Sequence, residues 1–311
     1  MVQRRYMVRR VIYPADAVFA DYVDFQINFL NYRTGLLIPN TELWIGDVLK
    51  MRINSLGCKG EELDPELGVI GVFGDSATFG TETDAWPFHL DIPGYQPLLT
   101  AVEGHDLKRM YDRLLELREK VKFDAVILAG SWHNLAYNRH DEVYWNEMFD
   151  AFCGKGHMTA ICTLPAGIDE DACERGIDYL IANGAKGSPF GGWGSWPTNA
   201  EKTREIYTAV LRYNACVRRY CKAFGAILIE LFEAYRPADP EELASGFHDP
   251  CHPHPEVYPL LAGVARQALE HRLPVRKPSG RELPLAFSSA PRPPEPAGEP
   301  QLPSTRVYPL W

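Results

Sequence analysis

Short apolar runs separated by amphipathic stretches mark the chain from about residue 66 to residue 271. Val69-Ile70-Gly71-Val72-Phe73 is uninterrupted apolar sequence ending at Gly74, the pattern of a parallel strand buried on both faces. Leu107 to Lys122 sets Met110, Leu114, Leu117 and Val121 three or four apart, one face of a helix. Ala125 to Leu128 predicts the next strand, Thr159 to Leu164 a third, ended by Pro165, and Ala226 to Ile229 a fourth. Between and after them, Glu201 to Ala223 predicts a long helix and Val257 to His271 a closing one. Strands alternating with helices imply an α/β fold with a mostly parallel, doubly wound sheet. Such sheets bind ligands at the carboxyl ends of their strands. The loops after Phe73, Leu128, Leu164 and Ile229 are therefore where chemistry is expected.

The pattern changes at both ends. Glu42 to Ile45 and Leu49 to Ile53 are β-like runs flanking Gly46-Asp47, which predicts a hairpin. We expect residues 1–62 to form a β-rich N-terminal extension packed on the core, and 63–274 to form the α/β domain. Ten of the 25 prolines fall between Pro274 and Pro309. Proline removes backbone donors and this stretch has no amphipathic period, so 275–311 reads as a Pro-rich C-terminal tail without a core of its own. Its end, Val307-Tyr308-Pro309-Leu310-Trp311, is apolar enough to dock on the body or on a partner.

Composition narrows the classes. The 311 residues are 46% hydrophobic and carry a net charge of −9. That balance argues against a nucleic-acid partner, because phosphate contacts need surplus Lys and Arg. No run reaches the roughly 18 apolar residues needed to span a bilayer. The arginine-rich start is not followed by an apolar stretch of signal-peptide type, since Pro14, Asp16, Asp21 and Asp24 interrupt it. Seven scattered cysteines without a CxxC pair suit free thiols in a reducing compartment, so a cytoplasmic location is expected.

Two segments hold residues for chemistry. The first predicted strand runs into Gly74-Asp75-Ser76-Ala77-Thr78-Phe79-Gly80, which puts Ser76 at the mouth of the sheet. This is not the G-x-S-x-G elbow, because Ala77-Thr78 follows the serine. Far downstream, Phe247-His248-Asp249-Pro250-Cys251-His252-Pro253-His254-Pro255 precedes the closing helix. An aspartate and a histidine three apart in one turn can face the same way, the carboxylate holding one ring nitrogen while the other reaches a serine hydroxyl. Neutral imidazole, with an ordinary pKa near ~6.5, is suited to general-base work. A metal reading of His248, Cys251, His252 and His254 is less favoured. The four crowd into seven residues among prolines, whereas zinc ligands usually gather from several segments.

Together, Met51-Arg52-Ile53-Asn54-Ser55-Leu56-Gly57, GDSATFG and DPCHPHPEVYPLLA resemble the SGNH (GDSL-type) hydrolase family over roughly residues 51 to 271. The resemblance implies a flavodoxin-like sheet, Ser76 as nucleophile, His252 as general base, and Asp249 orienting His252. It also implies an oxyanion hole made of the Ser76 N–H, a glycine N–H and an asparagine amide. Gly94, in Asp91-Ile92-Pro93-Gly94-Tyr95, is similar to the family's glycine block. The asparagine block, normally G-x-N-D, reads Gly130-Ser131-Trp132-His133-Asn134 here. Counted without a gap the position falls on His133, and one residue further on Asn134. We prefer Asn134, because an amide stabilises an oxyanion with no titratable proton, while His133 stays a candidate. The stretch between Ser76 and Gly94 is shorter than the family's usual helix and second strand require, so a remodelled groove is expected there.

The glycine-rich segment Gly184 to Pro197 lacks the phosphate-loop pattern. Lying near the strand ends, it offers Trp193 and Trp196, beside Trp132 and His133, as candidate substrate contacts. The expected activity is a serine esterase acting on a small-molecule, sugar or natural-product ester through an acyl-enzyme, with no cofactor and no metal. Alternatives of another class are an acyltransferase or biosynthetic tailoring enzyme, and a non-catalytic binding protein on the same scaffold. Neither the substrate's acyl and alcohol parts nor the oligomeric state is legible in the residues.

Overall fold

The computed structural model describes residues 9–13, 30–31, 36–45, 47–80, 84–136, 141–168, 178, 182, 200–237 and 239–276. Trp193, Trp196 and residues 277–311 lie outside this set.

Five strands build the central sheet. The first, Gly68–Gly74, is buried at every position. It pairs in parallel with Tyr95–Leu99 on one side and Ala125–Ala129 on the other. Met158–Cys162 follows Ala125–Ala129, and Ile227–Ile229 closes that edge, again in parallel. Counting the preceding strands of the N-terminal region (Arg9–Tyr13, Leu30–Asn31, Leu36–Leu37, Thr41–Ile45 and Val48–Ile53, β1 to β5), the central strands are β6 to β10. Their spatial order is β7-β6-β8-β9-β10, which is the flavodoxin-like doubly wound order with its switch point between β6 and β8.

Side chains along β6 alternate between two cores. Val69 and Phe73 join Val126, Leu128 and Ile161 on one face. That face is covered by Leu107–Arg118 (α2), Glu142–Phe152 (α4) and Ala200–Phe224 (α5), whose Leu114, Trp145, Phe149, Val210, Tyr213 and Val217 are fully buried. Ile70 and Val72 join Ile127, Ala160 and Ile229 on the other face. There Tyr258–Leu269 (α7) packs with Leu261, Ala262, Ala265 and Leu269 inward, beside a 3-10 turn at Trp86–His89. The shorter helices are Ser76–Phe79 (α1), Trp132–Ala136 (α3) and Pro240–Ser245 (α6).

The strand β7 was not expected from the sequence. Pro97 stands in its middle, opposite Ile70, and proline is tolerated there because β7 is an edge strand of the central sheet. Its place also corrects the expected layout: the second strand follows Gly94 instead of fitting between Ser76 and Gly94. Among the described residues, the space after Ser76 holds only α1 and the 3-10 turn.

Before the central sheet, β1, β4 and β5 form a three-stranded sheet, with β4 and β5 antiparallel and Ile45 opposite Val48. Lys59 links the two sheets: its backbone bridges to Ile53 in β5 and to Leu99 in β7. At the other end of the chain, the Tyr95 hydroxyl donates to the Pro274 carbonyl at 2.7 Å. Arg276 pairs with Asp124 at 2.7 Å, so the start of the C-terminal segment lies along the amino edge of the sheet.

Candidate active site

The turn carrying Ser76 is shaped by its neighbours. Gly74 ends β6 where a Cβ would lie 2.5 Å from Thr78 Cβ and 2.7 Å from the Ala129 carbonyl, so only glycine lets α1 fold back so closely. Asp75 caps α1, its Oδ1 accepting from the Ala77 N–H at 3.2 Å. Its Oδ2 accepts from the N–H groups of Ser131 at 3.0 Å and Trp132 at 2.9 Å. One buried carboxylate thereby ties the Ser76 turn to the loop after β8, across the switch point. Burial raises the Asp75 pKa, opposed by its three N–H donors and the nearby His252. The Thr78 hydroxyl donates to the Ala129 carbonyl and locks the same junction.

From the far end of the chain, the turn before α7 brings Asp249 and His252 to this point. Asp249 Oδ1 accepts from the backbone N–H of Cys251 at 2.8 Å and of His252 at 2.9 Å. Its Oδ2 meets His252 Nδ1 at 2.6 Å, and His252 Nε2 lies 2.8 Å from Ser76 Oγ. The backbone helps hold the turn: the His248 N–H donates to the His252 carbonyl at 2.8 Å, and the His254 N–H to the Gly246 carbonyl at 2.8 Å. Burial disfavours charge on both partners, but their mutual attraction outweighs it. The imidazolium and the amides hold Asp249 far below the usual carboxylate range. The charge and hydrogen bond of Asp249, then Asp75 and Glu103, push His252 up to about 9.

Asp249, Cys251 and His252 have ligand-type atoms within 4.8 Å of one another. Cys251 Sγ, however, lies 3.2 Å from Nδ1 and 3.9 Å from Nε2 of His252. Both ring nitrogens already face oxygen partners, Nδ1 the Asp249 Oδ2 at 2.6 Å and Nε2 the Ser76 Oγ at 2.8 Å, so the sulfur is a neighbour of the ring and not a co-ligand. We read it as a thiol packed on the imidazole. Burial, then the Asp249 charge, keep that thiol protonated by raising its pKa well above the ordinary value. Among the described residues six cysteines, Cys251 included, are free thiols.

The oxyanion candidates separate cleanly. Asn134 is fully buried. Its Oδ1 accepts from the Leu107 N–H at 2.9 Å, while its Nδ2 is a buried donor with no acceptor among the described residues. A buried amide donor without a partner is costly unless something else uses it. His133 is half-buried beside it. Gly94 is a correction. Its carbonyl accepts from the Gly68 N–H at 2.9 Å, at the amino end of β6, whereas Ser76 follows the carboxyl end. The two are separated by the length of β6, roughly 20 Å at ~3.3 Å per residue, so Gly94 cannot reach the nucleophile. Its positive φ of 79° is explained by the turn into β7, and a Cβ there would lie 2.5 Å from Arg276.

The glycine at the carboxyl end of β7 is Gly104, φ 71°, in the loop Ala101 to Asp106 that enters α2. The sequence signal for it was present, since Glu103-Gly104 follows the stretch Tyr95-Gln96-Pro97-Leu98-Leu99, apolar but for Gln96. Pro97 hid the strand and with it the loop. Of the candidate substrate contacts, Trp132 is buried and lines a narrow crevice with Ala77, Thr78, Trp86, Leu164 and Leu261, roomy enough for about one water. Trp193 and Trp196 lie outside the described residues. No helix among the described residues is long and apolar enough to cross a membrane.

No protein-family model and no curated protein sequence matches the chain. Among solved structures, it is similar to a lipase/acylhydrolase from Enterococcus faecalis, at 16% identity and a TM-score of 0.47, covering 69% of this chain and 100% of that one. It is similar also to a GDSL-like lipase from Bacteroides thetaiotaomicron, at 16% identity and a TM-score of 0.46, over 69% of this chain and 93% of that one. A member of the lipolytic G-D-S-L family from Veillonella parvula matches at 15% identity and a TM-score of 0.47, over 66% of this chain and 99% of that one.

Proposed function

We propose that the protein is a serine hydrolase of SGNH type that cleaves an ester through an acyl-enzyme. The observation that carries this reading is the continuous relay from Asp249 Oδ2 through His252 to Ser76 Oγ, with a contact of 2.6 Å within one turn and one of 2.8 Å between residues 176 positions apart. In this scheme neutral His252 takes the Ser76 proton through Nε2 as Oγ attacks the ester carbonyl. Asp249 keeps the remaining ring proton on Nδ1 and stabilises the imidazolium that forms. The oxyanion is received by the Ser76 N–H and by Asn134 Nδ2, whose lack of an acceptor supports that role. We assign the glycine position to the Gly104 N–H in place of Gly94. The imidazolium then protonates the leaving alcohol, and water, activated by the same nitrogen, releases the acid.

The test is direct. Wild-type protein should turn over p-nitrophenyl acetate and be labelled stoichiometrically at Ser76 by a fluorophosphonate. Ser76→Ala should lose both, with turnover falling by roughly 10³-fold or more, while circular dichroism stays unchanged. A folded wild-type protein that neither labels nor turns over the ester would favour the binding-scaffold reading.

A further inference from the structure

The N-terminal β layer sends one charged side chain beneath the nucleophile turn. Lys59 is 1% exposed, and a buried ammonium is unfavourable unless its donors are met. Its Nζ donates to the Phe79 carbonyl at 2.9 Å and to the Asp84 carbonyl at 3.1 Å. The same nitrogen stands 4.5 Å from the ring centre of Phe79 and 5.7 Å from that of Phe88, both within cation–π range. The Phe79 carbonyl belongs to the last residue of α1, whose first residue is Ser76, and helix-end carbonyls lack partners within the helix. Between the two carbonyls the chain doubles back at Gly80, φ 74°, where a Cβ would lie 2.4 Å from the Asp84 carbonyl. The loop then runs into the turn at Trp86–His89, which packs on α7 directly after the His252 segment. Lys59 is itself held firmly, its backbone bridged to both sheets.

We propose that Lys59 is a positioning residue for the nucleophile: by gathering the carbonyls of Phe79 and Asp84, its ammonium fixes the turn that holds Ser76 against His252. The inference rests on the esterase reading for its kinetic consequence, though not for its structural one. It gives the N-terminal extension a part in the site that no residue of the triad reveals.

Lys59→Met removes the charge and keeps most of the apolar stem. Its rate of fluorophosphonate labelling should fall roughly 10- to 100-fold, the scale of a small misplacement of a reacting group, with kcat reduced and KM little changed. Amide exchange in the peptide 76–85 should speed up, while exchange in 125–136 stays as in wild type. The exchange readout needs no activity, so an inert wild-type protein would count against the esterase reading and leave the Lys59 contacts separately measurable. Unchanged exchange in 76–85 would overturn the inference, as would wild-type labelling of Lys59→Met by a reactive enzyme. A second arm covers a variant that folds poorly: Lys59→Ala with added n-propylammonium should regain protection and labelling saturably. Its neutral counterpart, n-propanol, should not, and equal rescue by both would show that packing alone is at work.

Discussion

The individual groups of the site are tuned by the company they keep. His252 needs to be neutral to accept a proton, yet Asp249, Asp75 and Glu103 outweigh burial and raise it to about 9. Below that value most of the base is protonated and idle, so kcat/KM should climb about tenfold per pH unit from neutrality before levelling near the His252 pKa. A plateau already reached at pH 7 would contradict this. Asp249→Asn removes the largest favourable influence on the imidazolium. Its inflection should move down towards the ordinary histidine value, about 6.5, while kcat falls by up to roughly 10⁴-fold because the ring loses its preferred tautomer. Asn134 is a different kind of residue: its Oδ1 is committed to the entry of α2, which fixes the amide and, in the proposed scheme, leaves its donor for the oxyanion.

At the scale of elements, the site is a meeting of strand ends at the switch point between β6 and β8. Asp75 is the joint, since it receives one N–H from its own turn and two from the turn into α3. Asp75→Asn would set an amide donor against a backbone donor at one of these bonds. It should cost about 1–3 kcal/mol of stability in denaturant titration and slow labelling of Ser76. Unchanged stability would show that the neighbouring turns do not depend on the carboxylate. The helices were readable where their apolar spacing is long and regular: α2 and α5 lie within a few residues of their expected spans. A comparable pattern in Trp145, Phe149 and Phe152, four and three apart, marks α4 and went unremarked, because polar residues surround it. The edge strand β7 was hidden by Pro97, and Gly94 was misplaced as a result.

Across the whole molecule, the relay couples catalysis to stability. The folded-state pKa of His252 lies above the ordinary 6.5, so its attraction to Asp249 stabilises the fold fully below pH 6.5 and is lost as pH rises through about 9. Unfolding midpoints in denaturant should therefore drop between pH 6 and pH 9.5, and His252→Gln should flatten that drop. An equal drop in both proteins would assign it to other groups. Under the proposed scheme, activity is thus expected to be highest where this pair contributes least to stability.

Sequence alone determined the α/β alternation, the buried first strand, the β4–β5 hairpin segments and the two segments that bring Ser76, Asp249 and His252 into contact. Those features are local: apolar runs, periodic faces and residues adjacent in one turn are set by side-chain size and polarity. What tertiary structure decided is non-local. Which glycine stands at a carboxyl strand end depends on pairing with β6: Gly104 follows β7 and Gly94 precedes it. Asn134 is distinguished from His133 by burial and an unmet donor. Lys59 reads as an ordinary loop cation until the N-terminal sheet packs against β7 and carries it beneath the nucleophile. No periodicity encodes that contact, because it forms only when segments distant in sequence exclude water from a charge between them.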